Sequence, residues 1–278
     1  MTAPSDRPLP RWKTHLFLVV FTTVTLFPVL WVLKMALRPE QTFATGLNPL
    51  PTTISFQNFT DLMSEPLFLT QLMNSVVVAA TTTAVGVFLA CTAAYAFSRF
   101  RFPGRRAGLL AFLVTQMFPG TLMMIPLYVV LDQLGLLDHL GGLVLVYSTT
   151  AIPFCVWMLK GYFDTIPRAL EESALMDGAG QFTIFWRIIL PLARPAVAVT
   201  ALFSFMTAWN EYILAATFMS DETAYTLPVR LQQLVGAYTT EWGHFAAGAV
   251  LVSTPVMLLF FALQKHLVGG LTAGGVKG

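Results

Sequence analysis

The chain has 278 residues, 56% of them hydrophobic and 11% charged, where soluble domains carry roughly 25% charged residues. With a net charge of only +2, this excludes an ordinary soluble enzyme or a nucleic-acid binder and predicts a chain that crosses a membrane several times. Cys91 and Cys155 sit in apolar runs without CxxC spacing, and His15, His139, His244 and His266 show no ligand spacing, so neither a disulfide nor a metal centre is expected. No G-x-x-x-x-G-K-[ST], G-x-S-x-G or H-E-x-x-H occurs, and the chain carries no recognisable nucleotide site or hydrolytic centre.

Residues 1–14 are polar. Leu16 to Met35 is apolar, too long for the roughly 7–15 residues of a signal-peptide core and without an A-x-A cleavage site. It reads as span 1, kinked at Pro28. Residues 38–70 are proline-interrupted and form an outside loop; Asn58-Phe59-Thr60 is there a chance glycosylation sequon. Span 2 covers about 72–97, with Gly86, Ala90 and Ala94 as a small-residue packing seam. A basic turn, Ser98 to Arg106, leads to span 3 at about 107–131. Pro119-Gly120 and Pro126 break that span, and freed backbone in lipid needs protein or water to satisfy it, so span 3 should face the bundle interior. Span 4 covers about 140–159, span 5 about 196–219 and span 6 about 244–267. A second outside loop fills 220–243, and a Gly-rich tail follows from 268 to 278. Three regions result: 1–70, a five-helix domain 71–267, and the tail 268–278.

Thirteen of the sixteen Lys and Arg residues fall on one side of this layout; Lys34, Arg38 and Arg230 fall on the other. By the positive-inside rule both termini are cytosolic. So is the segment between spans 4 and 5, Asp164 to Pro195. Asp164 or Thr165 can cap a helix there, with Pro167 in its first turn. Glu171, Ala174, Leu175 and Gly178 share one face, Gly178 and Gly180 invite a turn, and Phe182, Phe185, Trp186 and Ile189 line a second amphipathic helix closed by Pro191 and Pro195.

This arm resembles the EAA loop of ABC-importer permeases. Glu172-Ser173-Ala174, Gly178, Ile188 and Leu190-Pro191 keep every spacing of that pattern, with Ser173 the one departure. The basic turn Tyr95–Arg105, Met117-Phe-Pro-Gly120 and Trp209-Asn-Glu-Tyr212 are also similar to sugar-importer permeases. The 225–243 loop and the tail Gly270–Gly278 resemble the smaller permease subunits of maltose/maltodextrin importers. The resemblance implies an all-α, polytopic bacterial inner-membrane protein with six transmembrane helices and the type I ABC-importer permease fold. Its implied partners are a second permease, a homodimeric ATPase and an extracytoplasmic sugar-binding protein; ATP and magnesium would sit on the ATPase, and this chain would bind no cofactor and catalyse nothing. Glu171, Glu172, Ser173, Ala174, Asp177 and Gly178 would couple to the ATPase. Gly178 would allow close backbone approach there, and Gly274, Gly275, Val276 and Lys277 would reach the same partner. Asn210 and Glu211 would line the pathway or a gate, or else fix helix packing. Gln232, Gln233 and Tyr238 would dock the binding protein. Asn74, Gln116 and Ser148-Thr149-Thr150 are read first as interhelical hydrogen-bonding groups. From the residues alone, a self-sufficient secondary transporter and a membrane anchor remain as alternatives; six spans without a convincing inverted repeat and with few intramembrane charges oppose the former.

Overall fold

In the computed structural model, residues 11–46, 48–51, 53–236 and 239–275 are described, and of 11 and 266–275 the backbone alone. Helices dominate these residues, and β-structure among them is confined to one bridge, Val235 to Thr240. Four helices are long and apolar enough to cross a membrane: α1 (Arg11–Ala36), α3 (Phe68–Arg99), α6 (Leu140–Thr165) and α13 (Trp242–Gly275). Two bent pairs bring the number to six if each pair is one span. In one, α4 (Arg105–Thr115) meets the turn at Gly120 and α5 (Met124–Gln133) at 97°. In the other, the run Gln181–Leu192 meets α10 (Arg194–Trp209) at 79°. The last helix continues past residue 267 through Gly275, into the stretch expected to be a separate tail.

Backbone proximity divides the chain into two units. One holds α1, α2 (Gln57–Ser64), the segment between them and Gln233–Ser253. Its centre is Asn58, 1% exposed, whose amide donates to the carbonyls of Ala36 (3.1 Å) and Arg38 (2.6 Å) and accepts from Gln41 Nε2 (2.6 Å). A side chain so enclosed has no room for a glycan, which agrees with reading the sequon as chance. Gln41 in turn accepts from the His244 amide at 3.0 Å, and a Cβ on Gly243 would fall 2.7–2.9 Å from the Asn58 and Gln41 side chains.

The other unit runs Pro66–Gln232 and resumes at Thr254. Its core is α3, α6 and α10. Ala90 and Ala94 of the small-residue seam are 0% exposed and let the helices approach closely. Cys155, Val156, Leu159 and Phe163 pack against them, with Ile184, Phe185 and Ile189 beneath. Both cysteines are free and buried, as expected of small hydrophobes. The broken third span departs from expectation: α4 buries no residue and α5 only Leu131. Part of its freed backbone is satisfied locally, with Gln116 N–H to Leu113 O, Met117 N–H to Val114 O and Leu122 N–H to Pro119 O at 3.0–3.1 Å. The turn into α6 is tight. A Cβ on Gly142 would lie 2.3 Å from the Leu136 carbonyl oxygen. Gly142→Ala is therefore expected to cost about 1–3 kcal/mol, read as a lower unfolding temperature of the detergent-solubilised protein.

Candidate functional site

The segment between α6 and α10 forms an arm. α6 runs on through Asp164 and Thr165, so neither residue caps the next helix. Asp164 instead accepts from Ser98 Oγ (2.6 Å) and pairs with Lys160 (2.5 Å). α7 (Ala169–Met176) starts without a side-chain cap. It ends in a Schellman turn: the Gly178 amide donates to Leu175 O (3.0 Å) and the Ala179 amide to Ala174 O (2.9 Å), with Gly178 at φ +82°. Among the described residues nothing lies within 4 Å of a Cβ built on Gly178. What demands glycine here is backbone handedness, not crowding.

After Gly180 come α8 (Gln181–Ile184), a π-helix (Phe185–Ile189) and α9 (Leu190–Leu192). The wider turn precedes Pro191, whose ring in an unbroken α-helix would meet the Arg187 carbonyl. It also resets the helical phase. Ile184, Phe185 and Ile189 point inward, while Phe182 and Trp186, expected on the same face, are 76% and 42% exposed. Neither Pro191 nor Pro195 closes the helix; the bend falls at Ala193, and Pro195 sits in the first turn of α10.

One buried ion pair holds the arm. Arg99, the last residue of α3, binds Glu171 through Nε, donates from Nη2 to Ile166 O (3.0 Å) and from Nη1 to Ser98 Oγ (3.0 Å). Tyr95, one turn earlier, donates to the other Glu171 oxygen at 3.1 Å and lies equally far from the Gln181 side-chain oxygen. Arg168 adds a bond to Ser98 O at 3.2 Å. The Arg99 and Glu171 side chains are 7% and 11% exposed. Glu171 thus faces α3 and not outward, unlike the other acids of the arm. Glu172, Ser173, Asp177 and Gly178 are exposed, and Ala174 is half-buried against the core. Leu175, Met176 and Phe182, at 46%, 89% and 76% exposure, add an apolar surface; of the three, Met176 is absent from the faces read from the sequence.

At the opposite end of α10 the helix breaks at Asn210–Tyr212 and resumes as α11 (Ile213–Phe218). Glu211 lies in this break, not inside a continuous fifth span. Its carboxylate accepts from the amides of Leu214 (3.0 and 3.1 Å) and Ala215 (3.1 Å) and from the buried Tyr147 hydroxyl (2.9 Å). Asn210 is exposed and donates to Met206 O at 2.9 Å. Glu211→Ala should leave the Tyr147 hydroxyl without an acceptor and uncap α11, at about 1–3 kcal/mol; Glu211→Gln keeps an acceptor. A Gln variant that unfolds like the parent but fails to transport in vesicles assigns Glu211 to the pathway, whereas normal transport assigns it to packing.

Beyond α11, Asp138 (φ 57°) accepts from the amides of Ser220 and Asp221, and its own amide donates to Phe218 O at 3.1 Å. The amide and hydroxyl of Thr223 hold the Asp221 carboxyl below the usual carboxylate range. Gln71 Nε2 donates to Glu222 O (3.0 Å), Asn74 Nδ2 to Thr223 O and Tyr225 O (2.8 and 3.0 Å), and Ser75 Oγ accepts from the Leu227 amide (2.7 Å). Gln116 Nε2 donates to Thr150 O at 3.1 Å. Asn74 and Gln116 are thus interhelical hydrogen-bonding groups, while Thr149 and Thr150 bond back to their own helix. Gln232 and Gln233 are exposed at the end of α12 (Leu227–Gln233). Tyr238, Val276 and Lys277 lie outside the described residues, and Gly274 and Gly275 end the α13 backbone.

The model of the family of binding-protein-dependent transport system inner membrane components matches residues 83–272, which include the whole arm. The chain belongs to this family. The permease is 38% identical to the maltodextrin transport system permease protein MalD of Streptococcus pneumoniae, covering 98% of this chain and 97% of that one. It is 41% identical to the maltose/maltodextrin transport system permease protein MalG of Vibrio vulnificus, over 96% of each. A crystal structure of a bacterial ABC transporter involved in the import of the acidic polysaccharide alginate superposes with a TM-score of 0.80 at 25% identity, covering 95% of this permease and 98% of that chain. This permease therefore has the ABC-importer permease fold and is an inner-membrane transport component. Sequence reading missed Tyr95 and Arg99 as parts of the arm. The sequence places both in the basic turn and counts Arg99 toward topology, and their i,i+4 spacing, which puts both on one face of α3, is the signal that links them to the arm.

Proposed function

We propose that this permease is one of two membrane subunits of an ATP-driven importer of maltose and maltodextrins. The observation that carries the coupling role is the arm: an exposed Leu175–Met176–Phe182 surface edged by Glu172 and Asp177, set on a rigid turn and pinned to α3 by a buried ion pair. Such a surface suits a cleft on a cytosolic ATPase dimer, where ATP and magnesium would be held and hydrolysed. This chain would then do no catalysis and bind no cofactor, and the Gly274–Lys277 tail would reach the same partner. The exposed face of α5, with Ile125, Val129 and Val130, suits a second permease. Gln232, Gln233 and Tyr238 would meet an extracytoplasmic sugar-binding protein, with Asn210 and Glu211 nearer the pathway. The identities to maltodextrin permeases support the choice of sugar.

The test is reconstitution with the second permease, the ATPase and the binding protein. Met176→Cys is expected to crosslink to the ATPase, and maltotriose-loaded binding protein to raise ATP hydrolysis several-fold. Sugar flux by this chain alone, driven by an ion gradient, would overturn the reading.

A further inference from the structure

The arm uses Arg99 and Arg168, but a second cluster of cations lies in the turn between α3 and α4. Arg101, Arg105 and Arg106 fall within six residues, and no Asp or Glu occurs anywhere between Glu65 and Asp132. Arg101 and Arg106 are exposed and make no hydrogen bond or ion pair among the described residues. Arg105 is held in place: its Nε donates to Phe97 O at 2.8 Å. Phe97 packs on the rings of Phe102 (5.5 Å) and Phe112 (5.9 Å), and Gly108 fits against the same ring, where a Cβ would come within 3.1 Å. Beside Phe102 opens a pocket of about 530 Å³ lined by Phe102, Gly104, Arg105, Arg106, Ala107 and Leu109.

The turn joins two membrane-spanning segments, so it surfaces at a bilayer face whichever way the chain is inserted. From the pocket, α4 leads away with Leu110, Leu113 and Val114 each 46–49% exposed. The cations thus stand at the head of an apolar helical surface. A free phosphate would use only the first of these features; an anionic phospholipid would use both. We infer that this pocket binds the headgroup phosphate of an anionic phospholipid, with Arg105 and Arg106 on its oxygens and the acyl chains along α4. Guanidinium groups suit phosphate oxygens because their paired N–H donors match them bidentately. Basic pockets at the headgroup level draw on the same attraction that anionic leaflets exert on nearby Lys and Arg. The inference rests on the chain being an inner-membrane component and not on the ATPase-coupling reading, so either can fail without the other.

The experiment is native mass spectrometry of the permease complex released from phosphatidylcholine nanodiscs doped with increasing phosphatidylglycerol. One phosphatidylglycerol is expected to be retained per copy of this chain. The Arg105→Gln/Arg106→Gln pair should weaken retention roughly ten- to thirty-fold, on the scale of two interfacial cations, and Arg187→Gln should not. Because lost cations can also disturb insertion, Arg105→Lys/Arg106→Lys keeps the charge and loses the bidentate geometry; it should fall between the parent and the Gln pair. Retention unchanged in both double variants, or displacement of the lipid by millimolar inorganic phosphate, overturns the inference.

Discussion

Replacing Glu171 with alanine is expected to abolish binding-protein-stimulated ATP hydrolysis by the assembled transporter and to destabilise the chain by about 3–5 kcal/mol. Arg99 would be left in a site where its side chain is 7% exposed, without a counter-charge. The Tyr95 hydroxyl would lose its charged acceptor. Arg99→Ala should do the same from the other side, and Arg99→Lys should recover only part of the function, because an ammonium cannot reach Glu171, Ile166 O and Ser98 together as the guanidinium does. The informative variant is the double one. Arg99→Met/Glu171→Leu fills the space with apolar atoms, and such exchanges are often neutral. If the pair only positions the arm, the double variant regains stability and much of the stimulated hydrolysis. If Glu171 itself contacts the ATPase, stability returns and stimulation does not. Unfolding temperature and stimulated hydrolysis, measured on the same preparations, separate the two.

A substitution series at Gly178 should give the second large effect, and its rank order carries the information. At φ +82° an L-residue costs about 1–2 kcal/mol, asparagine least and a β-branched residue most. Since no described residue lies within 4 Å of that Cβ, strain predicts that Gly178→Asn keeps most transport, Gly178→Ala loses roughly ten-fold and Gly178→Val is inactive. Close approach by a partner's backbone predicts the opposite order for the first two, because Asn is larger than Ala. Sugar uptake into proteoliposomes, normalised to the amount of assembled complex, decides between them.

Much of this layout was legible because lipid simplifies the problem. Apolar runs, the small-residue seam of α3 and the breaks at Pro119-Gly120 follow from composition and from the backbone's need for partners, and they are where the sequence put them. The arm was legible from its spacing. What the sequence hid was phase and direction. A 3.6-residue period put Phe182 and Trp186 on one face with Phe185 and Ile189; the helix instead buries Ile184, Phe185 and Ile189, and the π-turn at Phe185–Ile189 adds a step such a period cannot foresee. Glu171 and Glu172 look alike as adjacent acids of one helix, yet only Glu171 faces α3, and that depends on Arg99 being brought to it from 72 residues away in the chain. Glu211 looked like a costly charge inside a helix. The helix breaks at that point, and the carboxylate is met by amides that the break frees. The third span was expected to face inward because its broken backbone needs partners; tight turns within the chain supply those of Gln116, Met117 and Leu122.

α3 differs from the other long helices in one respect. α1, α6 and α13 each contain a proline, whereas α3 runs its 32 residues without one, about 48 Å of unbroken rod. Its lower end is bolted to the arm through Tyr95, Ser98 and Arg99, and its upper end to the 222–227 segment through Gln71, Asn74 and Ser75. A push on the arm therefore has a stiff route to the far face of the membrane that bypasses the break at Asn210–Tyr212. Amide exchange in 222–227 should slow or quicken in step with that of 169–178 when nucleotide is added, and a proline placed at Val85 should make the two ends respond separately.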